Sequence, residues 1–476
     1  MVQNFKKYNN IFFVGIGGIS MSALATLCKK QGANVSGSDL KSSVIISNLK
    51  KLGIKVFLKH KGKNITGAEL VVYSGAIKQN NPELLEAKKL NIPTMERAEF
   101  LGKVSENFEK VIAISGTHGK TTTTSMIAHI FMVANLNPTV HLGGMESQIG
   151  GNLQIGGSKY FITEACEFRD SFLKLNPTVS VVTNVEFEHV DYFKTFAQEC
   201  QSFSQFAKLT KKVCFVSKSA KKCFLNDKNV HFIGEKMSFN AQNIILNDDG
   251  KYSFDLYCKK NFLCNLKLNV YGKHNIQNAL LAIAVARYFD IDMGIIQLAM
   301  RTYKAVQRRF EQIGFYGSNI IVQDYAHHPT EIICSINTCK EVFGRKIMCV
   351  FQPHTYSRTK RLIDSFTKCF NGLDCLVLLE TYPARESFEY FGSAQFLKKK
   401  LENNNPPFAV QGVFDFKEFM SYIKSIKISN AVILFLGAGD IESLARDLAK
   451  KRKLCINSHC FRFVDFKNVD HKDFHA

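Results

Sequence analysis

Residues 111–122 read Val-Ile-Ala-Ile-Ser-Gly-Thr-His-Gly-Lys-Thr-Thr, an apolar run that passes directly into a loop of glycine, lysine and threonine. The apolar run predicts a buried strand, and the threonines after the loop predict the start of a helix. In such a strand–loop–helix unit the backbone amides surround phosphate oxygens, the lysine contacts the β- and γ-phosphates, and the hydroxyl binds Mg²⁺. The stretch therefore predicts an ATP-binding loop made of Gly116, Thr117, His118, Gly119, Lys120, Thr121 and Thr122.

This loop is shorter than the usual phosphate-binding pattern. Ile114 stands where that pattern has its first glycine, five residues before Gly119. A chance Gly-Lys-Thr is the alternative, but a buried strand before the loop and a threonine-rich helix after it favour nucleotide binding.

A second glycine turn, Gly15-Ile16-Gly17-Gly18, also follows an apolar run and precedes a helix-like segment. Glycines allow backbone amides to approach an anion at the positive end of a helix. Asp39, after the next predicted strand, could bond ribose hydroxyls, as in a dinucleotide site. Ser20 occupies the position of the third glycine, however, so a structural tight turn remains the alternative.

Further apolar runs of strand length alternate with helix-like segments, which predicts parallel sheets and an α/β fold. These runs are residues 11–14, 34–37, 160–163, 179–182, 320–322, 346–351, 375–379 and 431–436. We expect three domains, at residues 1–107, 108–312 and 313–476. Residues 208–273 alternate in shorter segments, with a hairpin turn at 247–250, and predict a β excursion within the middle domain.

The composition, 46% hydrophobic and 22% charged, is that of a globular chain, and no apolar run approaches the roughly 18 residues of a membrane span. We expect no stable membrane insertion. The 14 cysteines are scattered and no secretion signal precedes them, so we expect reduced, mostly buried thiols and a cytoplasmic protein. The net charge of +21 is spread along the chain without an aromatic-basic signature, so we expect no nucleic-acid partner. Attraction of small anionic substrates fits this charge, and solvated lysine faces are the alternative.

Two oxygen- or nitrogen-bearing residues follow strands of the predicted middle sheet. Glu164 follows residues 160–163, and His189 lies in the stretch after residues 179–182. Because ligands bind beyond the carboxyl ends of parallel strands, both could lie beside Thr121 and hold metal ions. A surface carboxylate and a structural histidine are the alternatives.

Ten blocks, in chain order, resemble the Mur ligase family over almost the whole chain. They are GIGGISMSALA, SGSDL, GTHGKTTTT, EACE, TNVEFEHVDYF, YGKHNIQNALLA, RRFE, DYAHHPTEI, FQPHTYSRT and GAGD. The DYAHHPTE and FQPH blocks are most similar to the members that join L-alanine to UDP-N-acetylmuramate.

The resemblance implies a Rossmann-like first domain for the uridine diphosphate part, a P-loop ATPase in the middle, and a Rossmann-like third domain for the amino acid. The implied uridine-diphosphate contacts are Gly15, Gly17, Gly18, Ser38, Asp39 and Ser74. His274, Asn278, Arg309 and Asp324 would join the loop around ATP, while Thr121 and Glu164 would hold one Mg²⁺ and His189 a second. The implied catalytic residues are Lys120, His189, His327, His354 and Arg358.

The implied reaction belongs to peptidoglycan precursor synthesis. The γ-phosphoryl group of ATP would activate the lactyl carboxylate of UDP-N-acetylmuramate as an acyl phosphate, which the amine of L-alanine then attacks. Thr355 stands where many members have arginine, and Cys166 replaces the commoner aspartate in the metal block. A monomer or a homodimer fits the family.

Three alternatives stay open. A murein ligase that reattaches a tripeptide shares text like HHPTE, a nicotinamide dehydrogenase would use residues 15–39 but not the second loop, and a non-catalytic module would bind ATP without turnover.

Overall fold

A computed structural model describes residues 8–188, 192–224, 227–236 and 238–450. Its first sheet is fully parallel, in the order β3-β2-β1-β4-β5. The strands are β1 (Asn10–Val14), β2 (Asn34–Ser38), β3 (Lys55–Phe57), β4 (Leu70–Tyr73) and β5 (Thr94–Glu96). The helices are α1 (Ile19–Lys30), α2 (Val44–Lys51), α3 (Pro82–Lys89) and α4 (Arg97–Ser105), and Gly62–Ile65 is a 3₁₀ turn.

The second sheet has the order β12-β11-β10-β6-β9-β7-β8, and only its edge strand β8 is known to pair antiparallel. The strands are β6 (Lys110–Ser115), β7 (Thr139–Glu146), β8 (Gly151–Gln154), β9 (Tyr160–Glu164), β10 (Val179–Val182), β11 (Val213–Ser217) and β12 (Val230–Ile233). The helices are α5 (Lys120–Val133) and α6 (Phe196–Leu209), with 3₁₀ turns at Ser147–Ile149, Phe168–Lys174 and Lys218–Cys223.

A small three-stranded sheet follows, in the order β13-β14-β15, and then two helices. These elements are β13 (Phe239–Leu246), β14 (Lys251–Cys258), β15 (Asn261–Tyr271), α7 (His274–Tyr288) and α8 (Met293–Thr302). The predicted hairpin turn at 247–250 joins β13 to β14, where Gly250 has φ +73° and its N–H donates to the carbonyl of Asn247 at 2.8 Å. The predicted excursion is shorter than expected, because β11 and β12 pair in parallel with the second sheet.

The third sheet has the order β16-β17-β21-β18-β19-β20, and its first strand pairs antiparallel with the second. The strands are β16 (Glu311–Tyr316), β17 (Asn319–Asp324), β18 (Lys346–Phe351), β19 (Cys375–Leu379), β20 (Ala409–Phe414) and β21 (Ala431–Leu436). The helices are α9 (Pro329–Phe343), α10 (Tyr356–Arg361), α11 (Ile363–Cys369), α12 (Ala394–Asn403), α13 (Phe416–Ser425) and α14 (Ile441–Lys450), with a 3₁₀ turn at Tyr390–Gly392. The four predicted strands of this region are present and parallel.

The chain forms two compact units. One comprises the chain up to Ile245 with Ser253–Asn269 and Asn275–Gln307, and the other comprises Leu246–Tyr252, Val270–His274 and the chain from Arg308. In the first unit, one buried cluster includes Phe13 and Phe100, whose rings meet edge to face, together with Phe161 of the second sheet. In the second unit, separate clusters cover the two faces of the third sheet. The domain boundaries at residues 107 and 312 stay predictions.

The cysteines differ in part from the expectation of reduced thiols. Cys200 on α6 and Cys223 in the following 3₁₀ turn form a disulfide, with Cα atoms 4.8 Å apart. The packing of this turn against α6 brings the two residues together, and a separation of 23 residues gives no hint of it. Ten other cysteines in the described part of the chain are free. No helix among the described residues has both the length and the apolar character needed to cross a bilayer.

We predict that Gly37→Ala destabilises the first unit. A Cβ at Gly37 would lie 2.4 Å from the carbonyl oxygen of Phe13 and 2.7 Å from Cδ1 of Ile16, so β1 and β2 would have to separate. We expect a loss of about 1–3 kcal/mol in the free energy of unfolding, measured in urea. Gly157→Ala is the control, because the nearest heavy atom to its added Cβ lies at 3.7 Å. Equal stability of the two variants would contradict this packing.

Candidate active site

The glycine–lysine loop lies between β6 and α5, as the sequence predicts. Gly116 has φ +129° and Gly119 has φ +80°, a region that favours glycine. A Cβ at Gly116 would lie 2.1 Å from Oγ1 of Thr183, and one at Gly119 would lie 2.8 Å from Oδ1 of Asn278. Backbone conformation and space therefore both require glycine at these two positions.

Lys120, the first residue of α5, is held by three oxygen acceptors. Its ammonium donates to the carbonyl of Gly116, to that of Thr117 at 3.1 Å, and to Oε1 of Glu167 at 3.0 Å. The Glu167 side chain is only 1% exposed. Burial lowers the pKa of Lys120, but the charge of Glu167, aided by Cys166 and Glu188, outweighs burial and leaves the pKa raised. The lysine is therefore a fixed cation.

Thr121 and Glu164 lie side by side, as predicted. The hydroxyl of Thr121 donates to Oε2 of Glu164 at 3.1 Å, and the N–H of Gly143 donates to Oε1 at 2.6 Å. Glu164 ends β9, which pairs with the P-loop strand β6. A hydroxyl and a carboxylate in contact are hard oxygen donors, so this pair fits Mg²⁺. His189 lies outside the described residues, and its role stays a prediction.

Thr183 and Asn184 directly follow β10 and hold the glycine–lysine loop in place. The sequence analysis assigned neither of them a role. The N–H of His118 donates to Oδ1 of Asn184 at 2.8 Å, and Nδ2 of Asn184 donates back to the carbonyl of His118 at 3.0 Å. The hydroxyl of Thr183 donates to the same carbonyl. Their position could have been noticed in the sequence, because they lie at the carboxyl end of β10, the strand beside β6, where parallel sheets bind ligands.

In the first sheet, the predicted residues surround the turn after β1. The N–H of Gly17 donates to Oδ2 of Asp39 at 2.9 Å, and the N–H of Gly15 donates to the carbonyl of Ser38 at 2.8 Å. The N–H of Ser74, after β4, donates to the carbonyl of Val14 at 3.2 Å. Gly18 caps the N-terminus of α1. The strand ends thus bring together Gly15, Gly17, Gly18, Ser38, Asp39 and Ser74.

The side chain of Ser38 is buried in a polar cluster that the sequence analysis missed. Its hydroxyl donates to Oε2 of Glu83 at 2.6 Å and lies 2.9 Å from Nδ1 of His60. The same Glu83 oxygen lies 2.8 Å from His60 Nδ1, and Oε1 accepts from Asn64 at 2.7 Å. Ser38 and Glu83 are both fully buried, so the Ser38 hydroxyl is engaged within the protein.

A buried histidine connects the first glycine turn to β9, the strand that ends at Glu164. Nε2 of His141 lies 3.0 Å from the hydroxyl of Ser20, and Nδ1 lies 2.9 Å from the hydroxyl of Thr163, the residue before Glu164. Burial, followed by the charge of Arg97, lowers the pKa of His141 to about 3. The ring is therefore neutral at physiological pH.

The second unit contains the residues that were predicted to bind the amino-acid substrate. The rings of His327 and His354 have centroids 5.9 Å apart, and His354 stacks on Tyr382 at 5.5 Å. Nη1 of Arg358 lies 3.1 Å from both Nδ1 and the carbonyl oxygen of His354. Thr355 has φ +67°, a rare conformation for a β-branched residue. Tyr382 was missed because no strand or motif marks its loop.

Arg309, Asp324 and His274 also lie in the second unit. Arg309 lies over the Tyr325 ring, with its guanidinium carbon 5.1 Å from the centroid. Burial raises the pKa of Asp324 to about 6, although the Ser335 hydroxyl donates to it at 2.6 Å. His274, the first residue of α7, is exposed. In the first unit, the side chain of Asn278 lies next to Gly119, and Thr122 lies in the first turn of α5.

Three family models match successive parts of the chain. They are the Mur ligase family catalytic domain at residues 10–109, the Mur ligase middle domain at 114–286, and the Mur ligase glutamate ligase domain at 308–439.

Curated relatives match over most of their length. The UDP-N-acetylmuramate--L-alanine ligase of Clostridium beijerinckii is 43% identical over 443 residues, which cover 91% of this chain and 96% of the relative. The protein of the same name from Clostridium kluyveri is 41% identical over 449 residues, covering 93% and 98%.

Solved structures match as well. The crystal structure of a UDP-N-acetylmuramate-alanine ligase from Thermotoga maritima gives a TM-score of 0.78 at 28% identity and covers 92% of this chain and 98% of that one. A murein peptide ligase from Psychrobacter arcticus gives 0.67 at 21% identity, with coverage of 92% and 98%, and shows the shared fold. With models and relatives that span most of its length and the three-domain α/β architecture they share, the chain belongs to the Mur ligase family.

Proposed function

We propose that the chain joins L-alanine to the lactyl carboxylate of UDP-N-acetylmuramate in bacterial peptidoglycan precursor synthesis, with ATP converted to ADP and phosphate. The observation that carries this proposal is the fixed Lys120 cation beside the Thr121–Glu164 pair. Relatives that are up to 43% identical over 91% of the chain are named for UDP-N-acetylmuramate and L-alanine, which supports these two substrates. The reaction would take place in the cytoplasm.

ATP would bind along the loop from Gly116 to Thr122. The amides of the loop and the Lys120 ammonium would contact the β- and γ-phosphates and offset the charge that develops during transfer. His274 and Asn278 would reach the adenine, and Arg309 and Asp324 would approach the nucleotide from the third domain.

Thr121 and Glu164 would hold one Mg²⁺ and His189 a second. When bound, the ions supply positive charge next to the transferring phosphoryl group. The Gly143 amide orients the Glu164 carboxylate for this purpose, because it donates to the oxygen that Thr121 leaves unused.

The sugar nucleotide would lie at the turn after β1, with Asp39 at the ribose and the Gly15–Gly18 amides near the diphosphate. Its lactyl carboxylate would first accept the phosphoryl group, because an amine that attacked the free carboxylate would have to expel hydroxide, a poor leaving group. The acyl phosphate that results loses phosphate when the amine attacks.

L-Alanine would bind at the cluster of His327, His354 and Arg358. A guanidinium is suited to a free carboxylate, which is costly to bury without a cation. The neighbouring imidazoles can accept the proton that the attacking amine must lose.

The test of the proposed function is phosphate release in the presence of ATP, Mg²⁺ and UDP-N-acetylmuramate across a panel of acceptors. We expect release with L-alanine to exceed release with the L-alanyl tripeptide by more than tenfold. A preference for the tripeptide would favour the murein ligase alternative, and ATP binding without release would favour a non-catalytic module.

We predict that Lys120→Ala lowers kcat by at least about 100-fold, because an electrostatic contact to the transferring group is lost. Phosphate release under saturating substrates measures it. Lys110→Ala, at the opposite end of β6, is the control and should keep wild-type turnover. Undiminished release by the Lys120 variant would exclude this loop as the site of transfer.

We predict that Glu167→Gln moves the alkaline limb of kcat/KM for ATP to lower pH. Glu167 raises the pKa of Lys120 against the effect of burial, so without the carboxylate Lys120 loses its proton at lower pH. We expect the activity of the variant to fall at lower pH than that of the wild type, in rates measured from about pH 6 upward into the alkaline range. Glu186→Gln is the control. It removes a different carboxylate, which lies 3.5 Å from His118, another residue of the loop that contains Lys120. An unchanged limb would show that Glu167 does not hold the lysine charged.

A further inference from the structure

We propose that Arg97 binds an anionic oxygen of the sugar nucleotide, at a point between the first glycine turn and the Glu164 block. This inference rests on the proposed function and adds a substrate-binding residue to it. None of the sequence blocks that carry the family resemblance contains Arg97.

The first observation is the position of Arg97 in the sheet. It directly follows β5, at the carboxyl edge where Gly15, Asp39 and Ser74 also lie. Glu96 is the register partner of Tyr73 in β4, so the backbone of Arg97 comes next to the Ser74 loop. A Cβ built on Gly75 would lie 2.8 Å from the Glu96 carboxylate, which shows how closely the two strand ends approach.

The second observation is what the charge of Arg97 reaches. Its cation acts on the ring of His141 and lowers the pKa of that residue, after the larger effect of burial. His141 bonds Ser20 on one side and Thr163, next to Glu164, on the other. Since His141 is neutral, the guanidinium supplies the positive charge at this junction.

The third observation is that Arg97 is only partly exposed yet unpaired. Across the ranges that the structure describes, its guanidinium makes no hydrogen bond and no ion pair. The two nearest carboxylates in sequence are engaged elsewhere: Glu96 and Glu99 form the capping box of α4, and Glu99 also lies 3.7 Å from Lys174. A partly buried arginine without an anionic neighbour is suited to binding an anion from outside.

The sugar nucleotide offers two such anions, the diphosphate and the lactyl carboxylate. Both present paired oxygens that match the planar fork of a guanidinium. An arginine between the glycine turn and the phosphoryl-transfer residues could meet either one, and their shared chemistry is an oxyanion of the substrate.

Titration calorimetry on the full chain tests the proposal, with Mg²⁺ and a non-hydrolysable ATP analogue present. The ligands are UDP, UDP-N-acetylmuramate, and the same sugar nucleotide without its lactyl ether. The variants are Arg97→Gln and Arg97→Lys. Lys103→Gln, at the far end of α4 and ion-paired with Glu106, is the control for loss of one charge. Thermal unfolding of each variant establishes that the fold is intact.

We expect Arg97→Gln to weaken UDP-N-acetylmuramate binding about 10- to 100-fold, as loss of a charged hydrogen bond does, while Arg97→Lys recovers part of it. Weakening of all three ligands assigns Arg97 to the diphosphate, and weakening of UDP-N-acetylmuramate alone assigns it to the carboxylate. Steady-state rates should show a raised KM for the sugar nucleotide and an unchanged KM for ATP.

Unchanged affinity of Arg97→Gln for all three ligands overturns the proposal while the proposed function stands. Equal losses in Arg97→Gln and Lys103→Gln also overturn it, because they point to overall charge. If the wild-type chain itself binds none of the ligands, the proposed function fails and this inference fails with it.

Discussion

The buried ion pair between Lys120 and Glu167 is the interaction on which the rest of this site depends. A lysine that is largely removed from water would lose its proton without a nearby anion, because burial disfavours the charged form. Glu167, 1% exposed and 3.0 Å from the ammonium, prevents that loss. The carbonyls of Gly116 and Thr117 complete its surroundings and fix its direction. The loop thus has its charge in position before any phosphate arrives, and a preorganised cation is worth most where water is scarce.

Parallel strands place every other part of the site. In the second sheet, β6, β9 and β10 are neighbours, so their carboxyl ends bring Lys120, Glu164 and Asn184 to one edge. In the first sheet the same rule gathers Gly15, Asp39 and Ser74. His141 joins the two edges through hydroxyls on either side of a neutral ring. A sugar nucleotide bound at the first edge, as proposed, would therefore lie beside the edge that holds Lys120 and the Thr121–Glu164 pair.

Sequence reasoning predicted the parts whose signal is local. Both glycine turns, the strands before them and the contact of Thr121 with Glu164 follow from apolar runs that end in marked residues. Glu167 was quoted but given no role, because its contact spans 47 residues and depends on the turn after β9. The parallel pairing of β11 and β12 was missed because short alternating segments fit a hairpin equally well. Arg97 and Tyr382 carry no motif, and only the sheet topology reveals their positions.

This site is proposed to transfer the γ-phosphoryl group of ATP to a carboxylate of the sugar nucleotide. Isotope transfer tests it most directly, with ¹⁸O in the lactyl carboxylate of UDP-N-acetylmuramate and mass analysis of the phosphate released with L-alanine. We predict that each phosphate carries one ¹⁸O atom, because the amine attacks the acyl carbon and phosphate leaves with one oxygen of the former carboxylate. Phosphate without the label would show that water receives the phosphoryl group and would exclude transfer to the carboxylate.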